Sequence, residues 1–300
     1  MSQSNAILGL LTETSLHAGV GQTVGVIDLP IQREAHTNWP FVYGSSVKGS
    51  MRTLAESKWG KESADVKNLF GPEIAHGESQ TQAGGLAIGD ARLLLLPVRS
   101  LTSHFKWVTC PDLLRRYQAD CRRLGMPKSF TIPEISKKET ALVSRQHDID
   151  FGLFLEEFRF TAEISEHLEE LITRLAPLMG REEAKKALEK QLVIVHDDIF
   201  RHITDYATPV NAHIQLNNET KASDNLWYEE TLPPDTLLYV TLVAQPVHQK
   251  EAPQRSANDI MASTQQLFSA EQAYLQLGGN ETVGMGWCKV ILQISTKEFE

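Results

Sequence analysis

The chain has 300 residues, 41% of them hydrophobic and 22% charged, which is the make-up of a globular protein able to bury a sizeable core in one large domain or two ordinary ones. Its net charge of -9 excludes indiscriminate nucleic-acid binding through a broad basic surface, and no apolar run reaches the roughly 18 residues of a membrane span. Three cysteines without CxxC spacing exclude a disulfide framework or zinc ribbon, and no secretory leader is visible, so the expectation is a cytoplasmic protein with free thiols.

Taken in chain order, residues 6–13 are apolar and fit a buried first strand. A loop with Gly19, Gly21 and Gly25 follows, holding His17 at its start and Asp28 near its end. Either side chain fits a turn or a satisfied polar group as well as a site. The segment GSSVKGSMR then opens a helix over 45–59, with Val47, Met51, Leu54 and Ala55 as its apolar stripe. Ser45 or Ser46 is expected to cap it, so that free amides, Lys48 and Arg52 converge on an anion such as phosphate. The same residues also fit an ordinary surface helix with two solvated cations.

Residues 60–85 predict a short helix and a polar loop, 86–98 a strand, 105–109 a further strand, and Pro111 the first turn of a helix. That helix carries Arg115, Arg116, Arg122 and Arg123 as pairs seven apart, a face able to meet phosphates, an acidic partner or only solvent. Residues 92–145 hold eleven basic and four acidic residues, a net of +7, whereas 146–240 hold eight basic and nineteen acidic, a net of -11. Such asymmetry suits one cationic groove with acidic faces elsewhere, or merely an uneven solvated surface.

A strand is expected over 153–164, and one or two helices over 166–190 with Pro177 and Gly180 as the break. LVIV then predicts a strand running into a helix capped by Asp197 or Asp198, a better reading than metal ligation by His196, Asp197 and Asp198, since consecutive positions rarely converge on one ion. Two alternating runs around NNETKASDN, within 209–243, predict a long β-hairpin with a polar tip. In it Tyr228 and Glu230 share one face, Trp227 and Glu229 the other. Residues 256–277 fit an amphipathic helix, and Gly278, Gly279, Gly284 and Gly286 form a loop whose amides can approach an anion.

ETSLHAG, GVIDLPIQREAHT and GSSVKGSMR, followed by LFG at 69–71, the YEETLPPDT segment and GGNETVGMG, occur in an order that resembles the RAMP proteins of type III CRISPR effector complexes, and DLPIQRE resembles the type III-B (Cmr) backbone subunit. The resemblance implies an α+β fold, a ferredoxin-like, RRM-related palm of βαββαβ type, as a single domain over 1–300. It implies finger insertions over about 60–85 and 100–190 and a thumb hairpin over about 205–235. It further implies copies that polymerise on a guide RNA (crRNA) beside other Cmr subunits, without a membrane. Thumbs would displace one base pair at regular intervals, and single-stranded target RNA would be cut beside each displaced nucleotide.

By the same resemblance Asp28 is the cleavage aspartate, with His17 and Glu230, preferred over Glu229, as auxiliary positions. Ser45, Ser46, Lys48 and Arg52, with the amides of Gly278, Gly279, Gly284 and Gly286, become guide-backbone contacts. Asp28 and the hairpin would meet from neighbouring copies. RNA supplies its own 2′-hydroxyl nucleophile, so positioning alone can drive cleavage to a 2′,3′-cyclic phosphate. A carboxylate is a poor proton acceptor at neutral pH, so Asp28 is expected to hold Mg2+ or Mn2+, and His17 to move the proton. A non-catalytic RNA-binding scaffold and a stand-alone nuclease are the competing readings.

Overall fold

The first strand is apolar at nearly every position because both of its faces are covered. In this computed structural model, which describes residues 3–73, 83–126, 130–147, 152–247, 254–269 and 273–296, β1 (Ser4–Thr12) sends Ala6, Leu8 and Leu10 into one core and Ile7 and Leu11 into another. After a long loop, β2 (Phe41–Val42) leads into α1 (Gly44–Trp59), whose buried stripe is Val47, Met51 and Ala55. The expected serine cap does not form. Tyr43 holds the N-cap position, Ser45 and Ser46 lie in the first turn, and the Gly44 N–H donates to Asp90 Oδ1 at 2.7 Å.

Next come α2 (Ala64–Phe70), β3 (Leu86–Ile88) and β4 (Ala91–Ser100). The single strand expected over 86–98 is split at Gly89–Asp90, where Asp90 turns aside to α1. The chain continues through β5 (His104–Thr109), α3 (Pro111–Arg123), β6 (Thr140–Val143), β7 (Leu153–Leu155) and β8 (Phe158–Ile164). The expected strand over 153–164 is therefore a tight hairpin.

α4 (His167–Met179) contains Pro177 and ends at Gly180 in the left-handed conformation, so the glycine is the break and the proline is not. α5 (Ala184–Gln191), β9 (Leu192–Val195) and α6 (Asp197–Tyr206) follow. His196, not an aspartate, caps α6 by accepting the Asp198 N–H on its ring, while Asp197 accepts the Asp112 N–H and so caps α3 instead. β10 (Val210–Leu216) and β11 (Ser223–Glu230) form the expected hairpin as a separate two-stranded sheet. β12 (Leu237–Ala244), α7 (Ala257–Leu267), β13 (Tyr274–Gln276) and β14 (Trp287–Ile294) complete the chain. The amphipathic helix thus stops at Leu267, and Tyr274–Gln276 is a strand.

Four antiparallel strands in the order β14-β1-β12-β4 make the middle of the sheet. With α1 between β1 and β4, and α7 between β12 and β14, this is the expected ferredoxin-like βαββαβ core. Residues 104–195 extend the same sheet as β5-β9-β6-β8-β7. The extension curls back on itself, for the Glu156 N–H just after β7 donates to Arg99 O in β4 at 3.1 Å. Residues 74–82, in the first expected finger, lie outside the described residues.

α1, α2 and α7 cover one sheet face, and α3, α4 and α5 cover the other. α4 lies so close to β1 that a Cβ at Gly9 would run into the Leu178 backbone. All three cysteines are unpaired and buried, as expected. Burial pushes the Cys110 and Cys121 thiols up and the Cys288 thiol up to about 12. A thiolate reagent at about pH 8 should therefore label none of the three rapidly in the folded protein and all of them in denaturant; rapid labelling of folded Cys288 contradicts its placement.

Candidate functional site

The hairpin has two unlike faces because alternate residues point opposite ways. One carries exposed Val210, Ile214, Leu216, Leu226 and Tyr228. On the other, His213 stacks on Trp227, ring centroids 5.4 Å apart. At its base a third, short segment joins β11: Leu29 N–H donates to Tyr228 O at 3.1 Å, and Glu230 N–H to Leu29 O at 3.0 Å. Next to this pairing, Asp28 Oδ2 accepts the Tyr228 N–H at 2.8 Å. The early aspartate therefore meets the base of its own chain's hairpin.

His17 sits behind this junction, buried. Its Nδ1 lies 2.8 Å from Glu230 O, and since a carbonyl only accepts, Nδ1 carries a proton, which in the neutral ring leaves the lone pair on Nε2. Glu229 Oε1 is 3.8 Å from the same Nδ1 and accepts from Asn280 Nδ2 at 2.7 Å. Glu230 points away: its Oε1 takes bonds from Arg33 and Thr208, each 2.6 Å, and its Oε2 takes the Ile31 N–H at 3.0 Å. By placement it is Glu229, rather than the preferred Glu230, whose side chain faces His17. Glu229 is the carboxylate at His17, and Glu230 clamps the loop that carries Asp28.

Beside His17 runs a groove of about 680 Å3 between α1 and the glycine-rich loop. Ser46, Ser50, Thr53 and Ser57 line it from α1, at helical spacing on one face. Gly19, Gly278, Gly279 and Trp287 line the opposite wall. Ser45, Lys48, Arg52, Gly284 and Gly286 do not line it. Lys48 pairs with no carboxylate among the described residues, but Arg52 is engaged, Nε to Glu56 Oε1 at 2.7 Å and NH1 to Gly71 O at 3.0 Å, so it fastens α1 to the LFG turn.

Three of the four glycine amides are also taken. Gly279 N–H donates to His17 O at 2.9 Å, Gly286 N–H to Ser15 O at 2.8 Å, and Gly284 N–H to Glu281 O at 2.9 Å. The loop thus holds residues 15–17 rather than presenting those three amides to an anion. A Cβ at Gly278 would run into the His17 carbonyl, which is why this position is glycine at φ 76. The helix-α1 terminus offers less than expected too, for the Asp90 carboxylate already occupies it.

The α3 arginines form no free phosphate-binding face. Arg116 holds Glu34 at 2.6 and 2.8 Å and stacks 5.1 Å over Trp39, Arg115 pairs with Asp112 and Asp197, Arg122 donates to Gln118, and Arg123 pairs with Asp120. Nor do the residues fit a resident metal. Asp28 has one oxygen on Tyr228, Glu229 and Glu230 are held elsewhere, and no group of three His, Cys, Asp or Glu side chains suited to a metal occurs among the described residues.

Sequence patterns had singled out Ser46 but not Ser50, Thr53 and Ser57, although their spacing from Ser46 on a helix that begins at 44 marks a continuous hydroxyl face. Arg33 and Asn280 carried no periodic signal. Among known proteins, the model of the RAMP superfamily matches residues 10–289. The CRISPR system Cmr endoribonuclease Cmr4 of Pyrococcus furiosus is 36% identical over 96% of this chain and 95% of its own length. The crystal structure of oligomeric Cmr4 from the same organism superposes with a TM-score of 0.74 at 30% identity, covering 98% of this chain and 99% of that one. A cryo-EM structure of the type III-B Cmr-beta complex bound to cognate target RNA contains a chain with a TM-score of 0.67 at 20% identity, over 97% of this chain and 96% of that one, a likeness of fold.

Proposed function

Because this chain belongs to the RAMP superfamily, we propose that it is the backbone subunit of a type III-B CRISPR complex, an endoribonuclease that holds guide RNA and cuts complementary target RNA at regular intervals. The observation that carries this reading is the junction at the hairpin base. There Asp28, 2.8 Å from the Tyr228 amide, precedes the Leu29–Glu229 bridge, Glu229 lies 3.8 Å from buried His17, and Ala18 and Gly19, next along the chain, line the hydroxyl-bearing groove.

Cleavage follows from these positions. A target nucleotide splayed by the hairpin brings its 2′-oxygen in line with the adjacent phosphorus and the departing 5′-oxygen. The free oxygen of Asp28 accepts a hydrogen bond from the displaced nucleotide and fixes its pose. His17 Nε2 takes the 2′-hydroxyl proton as the 2′-oxygen bonds to phosphorus, and the 5′-oxygen leaves and is protonated by water. The products are a 2′,3′-cyclic phosphate and a 5′-hydroxyl. Removing Nε2's lone pair, not adding a cofactor, is what stops this sequence.

The partners that complete the reading are the crRNA guide, single-stranded target RNA, further copies of this chain in a filament, and other Cmr subunits. No described helix is long and apolar enough to cross a membrane, and we place the complex in the cytoplasm. The test is to assemble the complex on a guide of known sequence and incubate it with a complementary, end-labelled RNA. Evenly spaced products ending in cyclic phosphate are expected, with no products from a scrambled RNA. A single cut, or equal cutting of both RNAs by the chain alone, supports a stand-alone nuclease instead.

A further inference from the structure

The glycine-rich loop grips two different parts of the site with two consecutive residues. Gly279 donates its N–H to the main-chain oxygen of His17, and Asn280 donates its side-chain amide to Glu229 Oε1 at 2.7 Å. Asn280 adopts the left-handed conformation, φ 61 and ψ 30, which asparagine tolerates better than most residues and which aims its side chain back at β11. The turn is closed behind it, since Asn280 O accepts from Val283 N–H at 3.1 Å and Met285 N–H at 3.2 Å.

Glu229 is buried and, among the described residues, forms no ion pair apart from the one with His17. A buried carboxylate with a single neutral donor is held in place by that donor. With it in place, the carboxylate faces the protonated Nδ1 edge of the imidazole, and the ring's other edge lies between Gly19 and Gly279, both groove-lining residues.

We propose that Asn280 is a positioning residue of the cleavage site: its amide holds the Glu229 carboxylate 3.8 Å from His17 Nδ1, where its negative charge steadies the imidazolium that forms when Nε2, on the groove side, takes a proton. This rests on the endoribonuclease reading above. Asn280 acts on RNA only through Glu229 and His17, in the manner of an outer-shell partner that orients an active group.

The test uses the assembled, guide-loaded complex. N280G removes the amide but keeps the left-handed backbone free of strain, and N280D places a second carboxylate against Glu229. Single-turnover cleavage at saturating target should fall about 10- to 100-fold in N280G and further in N280D, with target affinity unchanged within about twofold. The N280G/E229Q double variant should be no slower than E229Q alone, because Asn280 acts only through the Glu229 carboxylate, whose charge E229Q already removes. Full-rate cleavage by N280G, losses that multiply in the double variant, or a loss confined to target affinity each overturn the proposal. D28N, run in parallel, separates the two claims: if it too cuts at full rate the endoribonuclease reading fails, whereas an inactive D28N beside a fully active N280G removes only Asn280.

Discussion

Target cleavage by the guide-loaded complex should fall about 100- to 10,000-fold when Asp28 is replaced by Asn, with guide and target binding unchanged. The substitution is nearly isosteric, and the Asn carboxamide oxygen still accepts the Tyr228 N–H, so the pairing of Leu29 with β11 survives. What is lost is the negative charge and the second acceptor facing the displaced nucleotide. Cleavage rate and binding must be measured on the same preparation. Full-rate cutting by D28N leaves this chain as a scaffold, and a parallel loss of RNA binding assigns Asp28 to the groove rather than to the chemistry.

The neighbouring glutamates, alike in sequence, should separate into opposite classes. E230Q leaves Arg33 largely buried without its counter-ion, and weakens the acceptor of the Thr208 hydroxyl and the Ile31 amide. Breaking one partner of such a pair costs on the order of 3–5 kcal/mol, which lowers Tm by roughly 5–15 °C in a domain of this size. E229Q keeps an acceptor for Asn280 and should leave Tm within about 2 °C while slowing cleavage about 10- to 100-fold. Thermal melts and single-turnover rates on both variants decide it. A stable, inactive E230Q beside an active E229Q restores the original choice of Glu230 as the site residue.

The route by which each element was legible explains which expectations held. β1, the α1 stripe of Val47, Met51 and Ala55, and the alternating hairpin strands are local periodicities, and a window of a dozen residues carries them. The caps failed because their partners come from elsewhere: Asp90 caps α1 across 46 positions, and Asp197 caps α3 across 85. Likewise the strands between 104 and 195 were seen as pieces of fingers, yet their pairing into the palm sheet is non-local and leaves no local mark.

The site divides along the same line. His17 and Asp28 were legible through family resemblance, because motif order survives where contacts cannot be seen. Alternation placed Glu229 and Glu230 on opposite faces, but which face turns inward is decided by the 28–31 segment lying beside β11. Arg52 and the glycine amides looked free for an anion only because Gly71, Ser15 and His17, their acceptors, are distant in sequence or unmarked by any pattern.

With α4 pressed onto β1 until residue 9 has room for no side chain, the sheet surface on which RRM proteins stack and recognise bases is sealed off. Under the function proposed above, a strand of RNA would have the α1 groove instead, whose Ser46, Ser50, Thr53 and Ser57 suit sugar and phosphate, which all nucleotides have in common. A subunit holding RNA in this way would be indifferent to the letters it carries. Its selectivity would then come from Watson–Crick pairing, and a single unchanged protein would serve every guide with which it is loaded.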